Sequence, residues 1–268
     1  PVFVDVNDEY LMDTNKIEAA ITRRTRAILP VQWAGSICDM GVMMNIANYH
    51  KLDIIEDACQ AVGARFYGRE AGSFGRCAAF SMHPLKNLNV WGDGGVITTN
   101  CRSSYEKLLL LRNHGLTDRN LCQEFAYNSR LHTIQAVVAL HALKNLEFVT
   151  NKRIEIASYY DESFKNIPQL KIPPRFVYKK HVFHLYILLA ENRDGLLRWL
   201  LDNGIDAKIH YPTPIHLQPA SAYLGCKEGS FPVCESQARS IVSLPLHQHL
   251  TGEEIDFVVD AVRKFYKK

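Results

Sequence analysis

Nothing in this 268-residue chain approaches the run of ~20 apolar residues that a membrane-spanning helix needs, and no charged segment followed by a short apolar stretch opens it. A soluble, cytoplasmic protein is expected. Charge of one sign is missing too: 31 basic against 28 acidic side chains leave a net charge of +3, and the basic residues are dispersed, which excludes a nucleic-acid-binding stripe. The seven cysteines (Cys38, Cys59, Cys77, Cys101, Cys122, Cys226 and Cys234) are odd in number and contain no CxxC pair. Neither a disulfide framework nor a metal site is indicated, and the thiols are expected to be reduced. There is no G-x-G-x-x-G; Gly92-Asp93-Gly94-Gly95 does not lead from a strand into a helix and reads as a tight turn with positive-φ positions. An initiator Met is also lacking, and with Pro1 set directly before a strand-like run the chain reads as a piece of a longer protein.

What is present is a chain whose residues are 47% hydrophobic, enough to bury a large core. Over the first 100 residues, short β-branched or aromatic runs (residues 2–6, 27–33, 53–56, 78–82 and 96–99) alternate with amphipathic stretches at 15–21 and 39–50. That alternation predicts a mainly parallel sheet covered by helices, with Asp39 as an N-cap. Residues 131–164 contain neither Pro nor Gly and place apolar residues three or four apart, which predicts one long linking helix. After Pro173-Pro174 the pattern becomes a strand (183–189), a helix (193–202), a Gly204 stop, a strand (205–209) and two helices (231–241 and 251–266). The division expected is a large α/β domain over 1–150 and a smaller α+β domain, with the linking helix, over 151–268.

Two segments carry chemistry. In Ile54-Ile55-Glu56-Asp57 an apolar strand runs into two acids, and an acid at the end of a buried strand must be paired or hydrogen-bonded. The plainer reading of Asp57 is an N-cap for a short helix that follows it. In SMHPLKNLNVWGDGG, residues 81–95, Lys86 follows a strand end between Ser81 and a glycine-rich turn, where ligands bind in open α/β sheets; the plainer reading is an exposed loop lysine. Taken together, a carboxylate and an amine at neighbouring strand ends are the two groups pyridoxal phosphate requires: one for its ring nitrogen, one to hold its carbonyl carbon. His210-Tyr211 follows a strand in a loop stiffened by prolines, and reads equally as a substrate-facing or a structural element. His114, before Gly115, reads as a helix-end residue, and His50, His132 and His141 fall at helical positions.

EDACQA (56–61), SMHPLKNLNVWGDGGVITTN (81–100), LLRNHG (110–115), YNSRLHTIQAVVAL (127–140) and IHYPTPIHLQPA (209–220) occur in the order found in the DegT/DnrJ/EryC1/StrS group, and over essentially its whole length the chain resembles these pyridoxal-phosphate-dependent sugar aminotransferases. The resemblance implies a fold-type-I transferase in which Lys86 binds the cofactor covalently and shuttles a proton. It further implies that Asp57 meets the pyridine nitrogen, Ala58 lies against one ring face, Gln60 reaches the 3-hydroxyl side and Ser81 donates to the phosphate. Asn128 would reach the phosphate in a neighbouring subunit, making a homodimer with shared sites, and His210 and Tyr211 would border the sugar. An aromatic residue stacked on the ring and a phosphate loop would lie upstream of the residue matching Pro1, so weak cofactor binding is expected of this chain alone.

The reaction expected is transfer of an amino group from glutamate to a nucleotide-linked keto sugar. The 209–220 segment is most similar to members acting on dTDP-3-keto-6-deoxyhexoses. Two rivals stand beside it. Sugar dehydratases of the same group carry His where Lys86 stands, and the lysine argues against them. A non-catalytic truncated regulator or scaffold is the other.

Overall fold

The computed structural model describes residues 1–267. α1 (Ile17–Ala20) leads to β1 (Ala27–Ile28), α2 (Met40–His50) leads to β2 (Asp53–Asp57), and a hairpin of β3 (Arg65–Phe66) and β4 (Arg69–Glu70) precedes β5 (Cys77–Ser81). β1, β2 and β5 run parallel, in register Ile28↔Ile54 and Glu56↔Ala78, and β6 (Gly95–Thr98) completes the order β1-β2-β5-β6 as an antiparallel edge. The sheet is mainly parallel, as the alternation predicts. Asp39 caps α2 by accepting the Val42 N–H at 3.0 Å, and Met40, Met43 and Ala47 join Ile28 and Ile54 in one core.

Period two along β2 sends Ile54 and Glu56 to the same buried face. Glu56 is completely buried, and its carboxylate accepts from Gly72 N (2.9 Å), Phe74 N (2.8 Å), Gly75 N (3.0 Å) and Gln32 Nε2 (3.2 Å). An ionisable group survives in a core only with its lone pairs filled, so the turn before β5 is moulded around this acid. Gly75 completes the turn: a Cβ there would stand 2.4 Å from the Ile54 carbonyl oxygen. Glu56→Gln keeps the volume but points an NH2 at N–H donors, and is expected to cost roughly 2–4 kcal/mol. Urea unfolding reads this directly; an unchanged midpoint would mean that the four bonds contribute little.

α3 (Arg102–Leu111), α4 (Thr133–Leu143) and α5 (Leu146–Phe164) follow. The single helix expected over 131–164 is interrupted, because Lys144 and Asn145 close tightly onto the carbonyls of His141 and Ala142. The two pieces bury different things: α4 buries only Gln135, whereas α5 buries Arg153, Ile156, Ala157, Tyr160 and Phe164. Then come β7 (Leu170–Lys171), β8 (Lys179–Lys180), β9 (Tyr186–Ala190), α6 (Arg193–Asp202), α7 (Pro232–Ser240), β10 (Ile241–Leu244) and α8 (Gly252–Tyr266). β10, β9 and β7 form an antiparallel sheet, over which Tyr160, Phe164, Leu196, Leu200, Val258 and Val262 pack as a second core. β8 pairs instead with β3.

Three expectations fail for tertiary reasons. Residues 2–6 do not join the sheet; Val6 bridges Met12, and Asp5 accepts the N–H groups of Val233 (3.2 Å) and Cys234 (2.9 Å) at the start of α7. The orphan donors of a helix N-terminus thereby take the acid that a strand reading left unexplained. Residues 205–209 form no strand beyond a bridge from Lys208 to Ser243. Ile241, read as the end of a helix, opens β10 and pairs with Leu189. No helix among the described residues is long and apolar enough to cross a membrane.

Candidate active site

The parallel register sets Asp57 opposite Ala79, so the carboxyl ends of β2 and β5 lie at one edge of the sheet, where open α/β sheets bind ligands. The Asp57 backbone is fixed on both sides: its N–H donates to Pro30 O and its C=O accepts from Gln32 N, each at 2.9 Å. Its Oδ1 accepts the Cys59 N–H at 3.1 Å. No helix follows Asp57: the cap expected of it serves only a turn, through the Cys59 N–H, because β2 runs on through turns to β3, and the carboxylate stays at the sheet edge.

β5 ends at Ser81, whose Oγ accepts the His83 N–H at 3.2 Å. The loop that follows is closed at its base by Met82 N to Gly94 O and Val90 N to Met82 O. Lys86 sits in the turn of this loop, its N–H bonded to His83 O at 2.8 Å and its C=O accepting from Asn89 Nδ2 at 2.9 Å. Gly92 supplies the positive φ expected of the glycine turn, at 111°, and Gln135 of α4 holds that turn through Asp93 O at 2.9 Å.

Lys86 is half-buried, and burial lowers its ammonium pKa; the nearby Cys59 thiol and Asp57 carboxylate oppose that shift. Cys59 is in turn raised to about 11, by burial first and then by Asp57. The acid and the amine that sequence reasoning singled out are thus electrostatic neighbours. Ala58 is buried, its N–H donated to Ala79 O at 2.9 Å. Gln60 points its Oε1 at Ala34 N, 2.6 Å away, which leaves its NH2 as the group it can offer a ligand.

His210 is partly buried, with Nδ1 2.8 Å from Ser243 Oγ, while Tyr211 beside it is exposed. Asn128 is not brought to the Asp57–Lys86 edge; it lies exposed on the excursion between α3 and α4, bridged to Asn113 and accepting from Arg130 Nε at 3.1 Å. α3 stops at Leu111 with Arg112 as its C-cap, earlier than the stop expected at Gly115; His114 (φ 58°) and Gly115 (φ 70°) form the left-handed turn that follows, with Gly115 N bonded to Leu110 O.

One site residue escapes sequence reasoning. His184, two residues before β9, is pushed down to about 3 by burial first, then by Lys86, Arg153 and His210. Its only signal in the sequence is a polar ring in the apolar run HVFHLYILL. Among the described residues no group of His, Cys, Asp and Glu is arranged to hold a metal ion.

The sequence model of the DegT/DnrJ/EryC1/StrS aminotransferase family matches residues 1–263. The erythromycin biosynthesis sensory transduction protein EryC1 of Saccharopolyspora erythraea is 40% identical over 95% of this chain and 69% of its own length. The dTDP-3-amino-3,4,6-trideoxy-alpha-D-glucose transaminase of Streptomyces venezuelae is 39% identical over all of this chain and 71% of its own. Among solved structures, S. venezuelae DesV in complex with a ketimine intermediate superposes with a TM-score of 0.97 at 39% identity, over 100% of this chain and 72% of DesV. NtdA of Bacillus subtilis with bound cofactor PMP gives 0.90 at 29% identity, over 100% and 63%. By the family match over residues 1–263 and the superposition on DesV, the chain belongs to the DegT/DnrJ/EryC1/StrS aminotransferase family.

Proposed function

We propose that this protein is a pyridoxal-phosphate-dependent transaminase that moves an amino group from glutamate to a keto group of a nucleotide-linked deoxysugar. The observation that carries the reading is the meeting of Asp57 and Lys86 at one strand edge, with the lysine half-buried and under the influence of the carboxylate. The residues fit the cofactor: an acid fixed by its backbone for the ring nitrogen, an amine shifted toward its neutral form, a free amide NH2 on Gln60 and a hydroxyl on Ser81. When bound, pyridoxal phosphate supplies an electron sink for the pair left by a departing proton.

The chain's own groups have distinct tasks in this reading. With the cofactor bound, Asp57 would keep the ring nitrogen protonated, and Lys86 would hold the cofactor and move a proton at the donor's α-carbon. Ser81 would donate to the phosphate, Gln60 would reach the 3-hydroxyl side, and Ala58 would lie against one ring face. His210 and Tyr211 border the sugar, with the buried Ser243 fixing the histidine ring. The dTDP-3-keto-6-deoxyhexoses are the acceptors of choice. A dehydratase of this family would want histidine at position 86, where lysine stands. Division at about residue 150 assigns the cofactor edge to the large domain and the sugar loop to the small one. The cysteines are all unpaired, which suits the cytoplasm.

The acting unit is a homodimer. α4 presents Ile134, Val137, Leu140 and Leu143 at 50–66% exposure, and Phe125 and Tyr127 beside Asn128 are exposed as well; a face this apolar marks an association surface. Asn128 then completes the partner's site. Mixing Lys86→Ala and Asn128→Ala proteins under subunit exchange should restore activity, because some dimers regain one intact site; no recovery despite proven exchange would confine each site to one subunit. The function itself is tested by supplying 15N-glutamate with a panel of keto sugar nucleotides. A 15N-amino sugar nucleotide is expected from a dTDP-linked 3-keto substrate, and its absence across the panel would refute the acceptor class.

A further inference from the structure

β2 carries Asp57 at its carboxyl end and begins, beside β1, at the opposite edge of the sheet. A cavity of about 520 Å³ opens at that far edge, walled by the link from α1 into β1 and by the end of α2 where the chain turns into β2. Arg23, Arg26, His50 and Lys51 line it, and no acidic residue among those described does.

The link is a closed turn, shaped before any ligand arrives. Thr25 N donates to Thr22 O at 2.9 Å, Thr22 N to Thr25 Oγ1 at 2.9 Å and Arg24 N to Thr22 Oγ1 at 3.2 Å. Arg26 Nη1 folds back onto the carbonyls of Arg23 and Thr25, each at 3.0 Å. A guanidinium has more donors than these two bonds use, so the Nε and Nη2 edge of Arg26 is left to grip a pair of oxygens.

The charge around this cavity is not neutralised from within the protein. Glu18 of α1 pairs with His50 at 3.1 Å, and Asp53 at the start of β2 pairs with Arg76 at 2.9 Å. α2 contributes no acid. Among the described residues, Arg23, Arg26 and Lys51 have no carboxylate partner. In a chain of net charge +3, three uncompensated cations on one concavity are a concentration of charge, and a concave wall of one sign focuses its field on an incoming anion.

We propose that this cavity binds a diphosphate group, as carried by inorganic pyrophosphate or by a nucleoside diphosphate. Arg23 and Arg26 would clamp the phosphoryl oxygens in pairs, as planar guanidinium groups do, and Lys51 would add a point charge. Three cations match two linked anions better than a single phosphate, which would also leave much of the cavity unfilled. Ile21 and Leu52 complete the lining with an apolar patch against which a nucleoside could rest. The site stands on the opposite edge of the sheet from Asp57 and does not depend on the transaminase reading.

The test is calorimetric titration of the full-chain holoprotein with sodium pyrophosphate at near-physiological salt. Saturable binding is expected, weakened about tenfold by Arg23→Gln or by Lys51→Gln. Arg24→Gln is the control, because Arg24 is exposed in the same turn but does not line the cavity; its affinity should match wild type. Absence of saturable binding overturns the proposal, and so does an equal loss in all three variants, which would describe a diffuse cationic surface. Hydrogen exchange places the ligand: pyrophosphate should slow exchange over residues 21–26 and leave residues 81–95 unchanged. Protection confined to 81–95 would put the anion at the cofactor edge and overturn the proposal. Repeating the exchange with thymidine diphosphate names the source. Protection of 21–26 at lower concentration than pyrophosphate assigns the site to a nucleotide, and at higher concentration to pyrophosphate itself.

Discussion

Asp57→Asn is expected to slow the half-reaction with glutamate by roughly a thousandfold while leaving the fold intact. Two unit charges 4 Å apart at an effective dielectric near 20 interact by about 4 kcal/mol, which is on the order of three pKa units. That is enough to keep a pyridinium protonated at neutral pH. Asparagine preserves the size of the side chain and an oxygen that can accept the Cys59 N–H, now 3.1 Å from Oδ1, and the backbone bonds to Pro30 and Gln32 are untouched. Only the charge is lost. Single-turnover absorbance with glutamate should show the slowed step, alongside a melting temperature close to wild type. A wild-type rate would reduce Asp57 to a turn cap.

The second large effect is at Lys86. Lys86→Ala removes both the amine that holds the cofactor and the base that carries the proton, and general acid-base catalysis alone contributes roughly a hundred- to ten-thousandfold. Turnover should therefore fall by at least about 10^4. The loop should survive, because the bonds that shape it use the backbone of residue 86: N–H to His83 O and C=O from Asn89. Borohydride reduction of the wild-type holoprotein should place a pyridoxyl mass on the peptide containing Lys86. The same mass on Lys51 or Lys107 would overturn the assignment.

Both groups were legible in the sequence because each sits where a strand stops. An apolar run ending in acid, and another ending in a hydroxyl, a proline and a lysine, mark the carboxyl edge of a parallel sheet without knowledge of what packs around it. The same local logic identified Asp39 as a cap and α6 over 193–202. Features set by distant partners were not legible. Asp5 caps a helix more than 220 residues away, so its β-rich neighbours suggested a strand that the sheet has no place for. Glu56 reads as one half of an acid pair until the turn at 72–75 wraps it. His184 acquires meaning from Lys86, Arg153 and His210, none of which is near it in sequence. Asn128 remains apart from the edge it is proposed to serve, as a residue that acts across a dimer would.

The central claim is that Lys86 and Asp57 serve amino transfer, and release of 2-oxoglutarate without an acceptor tests it most directly. Holoprotein mixed with glutamate alone should release about one equivalent of 2-oxoglutarate per subunit and stop, since transamination proceeds by two separable half-reactions. It should restart only when a keto sugar nucleotide is added. A holoprotein that carries pyridoxal phosphate on Lys86 yet releases no 2-oxoglutarate would contradict the account.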